Sequence, residues 1–121
     1  MSKRTILVVE DQPDIRMLAV ETLEDAGCSV VDFDNAEHAI GFCRASASDI
    51  AAVFTDINLP GDLDGTDVAL FVAASHPQAV VIVTSGRYAD KPPELPPEVK
   101  FLRKPWSGPS LIDALKGVIE T

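Results

Sequence analysis

Five reactive side chains follow short apolar runs at four places that are far apart in the sequence. Glu10 and Asp11 follow the first run, Asp56 the third, Thr84 the fourth and Lys104 the fifth. If these runs lie side by side, three carboxylates meet, and two carboxylates about 5 Å apart repel each other by roughly 3 kcal/mol. Such a cluster needs a cation, and oxygen ligands without a nearby histidine or cysteine favour Mg²⁺.

The chemistry that fits this set of residues is phosphoryl transfer. Mg²⁺ held by a few carboxylates keeps open positions, which phosphate oxygens normally fill. The Lys104 ammonium can neutralise one phosphoryl oxygen, and the Thr84 hydroxyl can donate a hydrogen bond to another. Asp56 is then the candidate nucleophile, because carboxylates form acyl phosphates. Each residue alone is also explained as a helix cap or a solvated strand end, but together they favour a site.

The apolar runs themselves predict five β-strands that must position these side chains. Each run is short, rich in β-branched residues and apolar nearly throughout, which is typical of strands buried on both faces of a parallel sheet. The carboxyl ends of parallel strands meet at one edge of the sheet, where sites form. The predicted strands are Thr5–Val9, Ser29–Phe33, Ile50–Thr55, Ala79–Val83 and Val99–Leu102.

Helical patterns separate most of the strands. Pro13 suits the first turn of the first helix and Gly27 its end, while Asn35 can cap the second. The third helix runs from about Thr66 to Ser75, and one amphipathic C-terminal helix, carried by Leu111 to Ile119, ends near Glu120.

The fourth connection differs, because four of the six residues in Pro92–Pro97 are proline. Proline does not fit a helix interior, so at most one or two helical turns precede Pro92 and the rest is expected to be extended or polyproline-like. The resulting order βαβαβαβ(short α)βα predicts an α/β fold, a flavodoxin-like doubly wound five-stranded parallel sheet in the order 2-1-3-4-5, with the fourth helix short or absent.

Composition limits the range of functions. The 121 residues suit one domain, and 46% of them are hydrophobic. A net charge of −9 argues against binding to nucleic acid or to an anionic membrane surface. Cys28 and Cys43 match no metal or redox spacing. Without a signal peptide or an apolar run long enough to span a membrane, we expect a cytoplasmic protein.

Four motifs stand in order at the predicted strand ends. They are the opening segment Arg4–Arg16, Thr55–Pro60 followed by Asp64-Gly65, Val83–Ser85, and Phe101–Trp106. Together they give the chain a resemblance to the receiver domains of response regulators in two-component signalling. The resemblance covers essentially the whole chain, residues 1–121, as one receiver domain.

The resemblance implies a role for each acidic residue of the site. Asp56 matches the phosphoacceptor, and Asp11 matches the direct Mg²⁺ ligand. Glu10 matches the acidic neighbour that acts on the metal through water, and the backbone carbonyl of Asn58 completes the metal shell.

The resemblance also assigns the switch and the partners. Thr84 matches the switch hydroxyl, Phe101 the aromatic that rotates inward behind it, and Lys104 the phosphate-contacting lysine, followed by a cis bond to Pro105. It implies a sensor histidine kinase or a histidine phosphotransfer protein as phosphodonor and an unknown protein as target. It further implies no enzymatic activity beyond the domain's own autophosphorylation and autodephosphorylation.

Three features depart from the family pattern. The loop between Asp56 and Gly65 is one residue longer than the common form, and Ser85 stands where alanine is more usual, a difference we expect to have little effect. In many receivers the fourth helix contributes to the surface that dimerises or reaches an output domain. The proline-rich connection therefore predicts a different output surface here.

Three other functions fit less well. A phosphatase of the haloacid-dehalogenase type needs a second acid two residues after the nucleophile, where this chain has Asn58. A flavodoxin-like cofactor binder needs a Gly/Ser/Thr-rich phosphate loop, but the segment Glu10–Pro13 would repel phosphate. A pseudo-receiver, acting as a phosphorylation-independent interaction module, ranks second because of the proline-rich connection.

Overall fold

A five-stranded parallel sheet in the order β2-β1-β3-β4-β5 forms the centre of the protein. The computed structural model describes residues 5–45 and 49–119. Helices cover both faces of the sheet, which confirms the predicted doubly wound fold. The strands are β1 (Thr5–Val9), β2 (Ser29–Phe33), β3 (Ile50–Asp56), β4 (Val80–Ser85) and β5 (Lys100–Arg103).

Two apolar clusters, one on each face of the sheet, make up the core. Successive residues of a strand point to opposite faces, so Leu7 contributes to one cluster and Ile6 and Val8 to the other. All of β3 is buried, whereas the edge strands β2 and β5 are only partly buried. The prediction of strands buried on both faces therefore holds for the centre of the sheet but not for its edges.

The first three helices begin where the sequence predicts. They are α1 (Pro13–Asp25), α2 (Ala36–Ala45) and α3 (Gly65–Ser75). The side chain of Asn35 accepts a hydrogen bond from the His38 N–H at 2.8 Å, which caps α2. Asp64 and Asp67 form a reciprocal capping box at the start of α3. No helix among residues 5–45 and 49–119 is long and apolar enough to cross a membrane.

The prediction of a single C-terminal helix is wrong. The structure has α4 (Gly108–Ala114) and α5 (Lys116–Ile119), with a break at Leu115. The ammonium of Lys100 on β5 donates a hydrogen bond to the Ala114 carbonyl at 2.7 Å, which satisfies a carbonyl at the end of α4. The helix end predicted near Glu120 lies outside the described residues.

The connection between β4 and β5 contains no helix, and all of its residues 86–99 are described. The expected polyproline-like conformation is wrong, because the segment forms two tight turns. The Leu95 N–H donates to the Pro92 carbonyl at 3.2 Å and the Val99 N–H to the Pro96 carbonyl at 3.1 Å. Each turn has the sequence Pro-Pro-Glu-apolar, with a proline at the second position, where its fixed φ suits a turn.

Lys91 holds these two turns together. Its ammonium donates hydrogen bonds to the carbonyls of Pro96, Pro97 and Val99 at 2.8, 3.1 and 3.0 Å. The side chains of Leu95 and Val99 are buried in the core. The connection thus fills the place of a helix with two packed turns, and the side chain of Lys91, directly before the first turn, binds three carbonyls of the second.

Replacing Lys91 with methionine should loosen the connection. Methionine keeps most of the apolar stem but removes three charge-assisted hydrogen bonds, so we expect the free energy of unfolding to fall by about 1–2 kcal/mol. Urea titration measures this, with the exposed Lys116→Met as the matched control. Amide exchange at Leu95 and Val99 should become faster. Unchanged stability together with unchanged exchange would show that Lys91 does not hold the turns.

Candidate functional site

The carboxyl ends of β1 and β3 and the segment after β5 meet at one edge of the sheet, as predicted. The Lys104 ammonium lies 2.8 Å from Glu10 Oε1 and 3.0 Å from Asp56 Oδ2. Glu10, Asp11 and Asp56 each offer a carboxylate oxygen, and these oxygens lie within 4.8 Å of one another. Residues that are far apart in the sequence therefore form one cluster of three carboxylates and one ammonium.

The register of the sheet explains this convergence. Asp56 at the end of β3 is paired with Thr84 near the end of β4. β1 ends at Val9, which pairs with Thr55, so Glu10 follows beside Asp56. Parallel strands in this register end together, and their last residues share the rim of the sheet. The Lys104–Pro105 peptide bond is cis, as expected.

Burial makes the charges in this cluster depend on one another. Glu10 and Asp56 are only 4% and 5% exposed. Burial raises the pKa of the Glu10 carboxyl, although the hydrogen bond from Lys104 opposes that shift. Burial alone would lower the pKa of Lys104, but its hydrogen bonds to Glu10 and Asp56 outweigh this effect and the pKa is raised. Lys104 is therefore held as an ammonium that neutralises part of the carboxylate charge.

Two backbone N–H groups orient the acidic side chains, and one arginine holds the backbone of Glu10. The Asn58 N–H donates to Asp56 Oδ1 at 3.2 Å, and the Gln12 N–H donates to Glu10 Oε2 at 3.2 Å. Arg16 on α1 donates to the Glu10 carbonyl at 2.9 Å and pairs with Asp32. Sequence reasoning missed Arg16, although its place on the first helix, one turn after the acidic pair, could have suggested it.

Thr84 contributes a buried hydroxyl that has no hydrogen-bond partner within the described part of the chain. The residue is 1% exposed. A buried hydroxyl without a partner is unfavourable, and a ligand with acceptor oxygens would satisfy it. The oxygen-only carboxylate set together with this hydroxyl fits Mg²⁺ and a phosphoryl group. Glu10, Asp11 and Asp56 are the residues that could hold the metal.

The two remaining predicted residues lie at the border of the cluster. Asn58 is exposed on the rim, and its side-chain oxygen accepts a hydrogen bond from the Ser85 hydroxyl at 3.2 Å. Phe101 on β5 is paired with Val83 and packs, half-buried, against the apolar cluster on the α2 and α3 face of the sheet. Phe101 thus lies on the strand next to that of Thr84 and two strands away from that of Asp56.

Glu37 on α2 holds the long loop between β3 and α3. Its carboxylate accepts hydrogen bonds from the N–H groups of Asp62 and Leu63 at 3.1 and 3.4 Å. Gly61 adopts a φ of +99°, in the left-handed region that favours glycine. The carboxylate and the glycine turn keep the loop beside the acidic cluster.

An apolar groove opens next to Lys104. It has a volume of about 260 Å³ and is lined by Ile15, Leu18, Lys104, Pro105 and Trp106. Leu18 is 51% exposed, and the indole of Trp106 packs edge-on against Phe54 with ring centroids 5.4 Å apart. Trp106 therefore packs against the core just before the last helical region and also lines an open surface.

The chain matches the family model of the response regulator receiver domain over residues 6–116. It is 28% identical over 119 residues to the response regulator receiver protein CpdR of Brucella abortus (strain 2308), covering 96% of this chain and 97% of that protein. It is 29% identical over 119 residues to the sensor kinase CckA of the same organism, covering 96% of this chain but 12% of the kinase.

Solved structures show the same similarity. A response regulator receiver protein from Sinorhizobium medicae WSM419 superimposes with a TM-score of 0.85 at 26% identity, covering 99% of this chain and 97% of that one. The receiver domain of the hybrid histidine kinase CckA superimposes with a TM-score of 0.80 at 26% identity, covering 95% and 98% of the two chains.

Proposed function

Because the chain belongs to the response regulator receiver domain family, we propose that it accepts a phosphoryl group on Asp56, with Mg²⁺ bound, from a sensor histidine kinase or a histidine phosphotransfer protein. The observation that carries the proposal is the contact of Lys104 with the buried carboxylates of Glu10 and Asp56. Beside them the buried Thr84 hydroxyl lacks a partner within the described residues. The site thus offers the Asp56 carboxylate as a nucleophile, the Lys104 ammonium, and the Thr84 hydroxyl as a hydrogen-bond donor.

Asp56 is the nucleophile of the proposed transfer. One of its carboxylate oxygens forms a bond to phosphorus while the bond between phosphorus and the donor histidine nitrogen breaks, and that nitrogen keeps the electron pair. The Asn58 N–H donates to Asp56 Oδ1 and keeps the carboxylate oriented. With the other ring nitrogen of the donor histidine protonated, the product is an acyl phosphate on Asp56 and a neutral imidazole on the donor.

Lys104 and Thr84 stabilise the incoming charge. The ammonium that Glu10 and Asp56 share contacts a phosphoryl oxygen, and the Thr84 hydroxyl donates a hydrogen bond to another. Mg²⁺, held by Asp11, Asp56 and the Asn58 carbonyl with Glu10 acting through water, would neutralise further phosphoryl charge. Thr84 moves toward the phosphoryl group, and the Phe101 ring turns inward behind it.

A protein is the phosphodonor that suits the surface beside the site. The apolar groove adjoins Lys104, and its Leu18 side chain is half exposed. Exposed apolar surface of this kind favours contact with another protein. One relative is named a sensor kinase, of which this chain spans 12%, and another is named a receiver protein, of which it spans 97%. The downstream target is a further protein.

We do not propose that the protein is an enzyme acting on small substrates. Asn58 stands two residues after Asp56, where a phosphatase of the haloacid-dehalogenase type carries its general acid. An amide has no acidic proton that it could transfer to a leaving group. The proposed chemistry is therefore limited to the phosphorylation and dephosphorylation of Asp56 itself.

Acetyl phosphate tests the proposal directly. Incubation with acetyl phosphate and Mg²⁺ should add one phosphoryl group to the protein, as measured by intact mass. Asp56→Asn should gain none, since an amide does not form the acyl phosphate, and removal of Mg²⁺ with a chelator should prevent the gain in the unchanged protein.

The competing function is that of a pseudo-receiver, favoured by the absence of a helix between β4 and β5. A protein that gains no phosphoryl group from acetyl phosphate, and none from a histidine phosphotransfer protein charged with phosphate, would contradict our proposal. The proline-rich connection would then be the first surface to test for a binding role.

A further inference from the structure

The hydroxyl of Ser85, at the end of β4, connects two loops that flank the acidic cluster. Ser85 is fully buried, with 0% exposure. Its Oγ lies 3.2 Å from Asn58 Oδ1, 3.0 Å from the Arg87 N and 3.4 Å from the Tyr88 N. The backbone carbonyl of Ser85 also accepts a hydrogen bond from the Lys104 N–H at 3.1 Å.

The direction of these hydrogen bonds fixes the Asn58 carboxamide. A hydroxyl has one proton and two lone pairs. The N–H groups of Arg87 and Tyr88 occupy both lone pairs of Ser85 Oγ, so its proton is left for Asn58 Oδ1. The carboxamide oxygen therefore faces Ser85, and the NH₂ group at the other end of the planar carboxamide faces away from it.

Asn58 is close enough to Asp56 for this orientation to matter. Its own N–H donates to Asp56 Oδ1. Loss of a phosphoryl group from Asp56 requires a water molecule whose oxygen bonds to phosphorus while the bond from phosphorus to the Asp56 oxygen breaks. Inorganic phosphate leaves carrying the oxygen and both protons of the water, as H₂PO₄⁻, and Asp56 is left as a carboxylate. An acceptor oxygen beside Asp56 can orient that water, whereas an NH₂ group cannot accept its proton.

We propose that Ser85 is a positioning residue that prolongs the life of the phosphoryl group on Asp56 by holding the Asn58 carboxamide oxygen away from attacking water. This inference rests on the proposed phosphorylation of Asp56. It gives Ser85 a role that Thr84 does not share, because the Thr84 hydroxyl is free to meet the phosphoryl group. The Ser85 hydroxyl also connects the start of the proline-rich connection to the Asn58 carboxamide, because it accepts hydrogen bonds from the N–H groups of Arg87 and Tyr88.

The rate of phosphoryl loss tests the role of Ser85. The protein is phosphorylated with acetyl phosphate, the reagent is removed, and the decay is followed by intact mass. Ser85→Ala should accelerate the decay by about three- to tenfold, the effect of one hydrogen bond. In an Asn58→Ala background the same substitution should have no effect, because Ser85 acts through Asn58. The exposed Ser75→Ala is the matched control.

Several outcomes would overturn the inference. Equal acceleration with and without the Asn58 carboxamide, or no acceleration in either background, would remove the role of Ser85 while leaving phosphorylation of Asp56 intact. A protein that never gains a phosphoryl group would instead refute the proposed function, and the inference with it. If Ser85→Ala does not fold, Ser85→Cys keeps the shape of the side chain with a larger atom and a weaker donor, and should accelerate the decay less.

The orientation of the carboxamide can also be measured without phosphorylation. The side-chain NH₂ resonances of Asn58 should report one fixed conformer in the unchanged protein and averaging between conformers in Ser85→Ala. Identical resonances in the two proteins would show that the hydroxyl does not hold the carboxamide, whatever the decay rates are.

Discussion

Replacing Lys104 with methionine is expected to slow the phosphorylation of Asp56 by acetyl phosphate by about 10²- to 10³-fold. The ammonium lies 3.0 Å from Asp56 Oδ2 and is the cation that the site itself supplies. Removing one prepositioned donor from a buried site typically has an effect of this size. The rate is measured by intact mass at saturating Mg²⁺, and Lys116→Met, which removes an exposed ammonium, should leave it unchanged.

The same variant should also be less stable without divalent cations. Glu10 and Asp56 are buried and would lose the partner that they share. Because Lys104 is itself partly exposed, we expect a loss of about 1–3 kcal/mol in the free energy of unfolding, below that for a fully buried pair. Mg²⁺ should stabilise Lys104→Met more than the unchanged protein, since the metal no longer competes with an ammonium for the carboxylates.

Two results would contradict this account of Lys104. A phosphorylation rate within threefold of that of the unchanged protein would show that the ammonium does not act on the phosphoryl group. Equal stabilisation of both proteins by Mg²⁺ would show that the ammonium and the metal do not share ligands.

The sequence alone predicts the site because a parallel sheet brings the ends of its strands together. Glu10, Asp56 and Lys104 could be placed at one edge without knowledge of any contact between them. The order of elements restricts the topology, and each apolar run shows where its strand ends. Only the strand boundaries are needed for this prediction. β4 ends at Ser85, two residues later than predicted, but such an error does not move a side chain to another edge of the sheet.

Contacts between distant loops could not be predicted in this way. From the sequence, Ser85 is expected to have little effect, and its contact with Asn58 is not visible there because it spans 27 residues and depends on how two loops approach. The break before α5 depends on Lys100 reaching the Ala114 carbonyl across 14 residues. A polar side chain at such a position is more often solvated, and only the folded backbone shows which carbonyl it reaches.

The structure of the proline-rich connection could be predicted only in part. Its prolines exclude a helix, as expected, but the two Pro-Pro-Glu-apolar units also carry a turn signal. Leu95 and Val99 recur at the same position of each unit and are both buried. Reading the repeat would have predicted two turns instead of an extended chain. The hydrogen bonds of Lys91 to three carbonyls would still have required the structure.

Gly65, the first residue of α3, lies against the backbone of the phosphoacceptor. Its N–H donates to the Ile57 carbonyl at 2.9 Å. A Cβ atom built on Gly65 would lie 1.8 Å from the Asp56 carbonyl oxygen and 2.7 Å from the Ile57 Cα. Both contacts are with backbone atoms, so no side-chain rotation relieves them. The helix and the end of β3 can approach each other this closely only because residue 65 has no side chain.

Gly65→Ala is therefore expected to lower the free energy of unfolding by about 3 kcal/mol or more, since the backbone must shift at Asp56 itself. Phosphorylation should fall together with stability. The control is Gly41→Ala in α2, where a Cβ meets nothing within 4 Å, and alanine should raise stability by about 0.5–1 kcal/mol. Urea unfolding of both variants measures the contrast. If Gly65→Ala were as stable as the unchanged protein, the close approach of α3 to Asp56 would be wrong, and with it the geometry that places the phosphoacceptor.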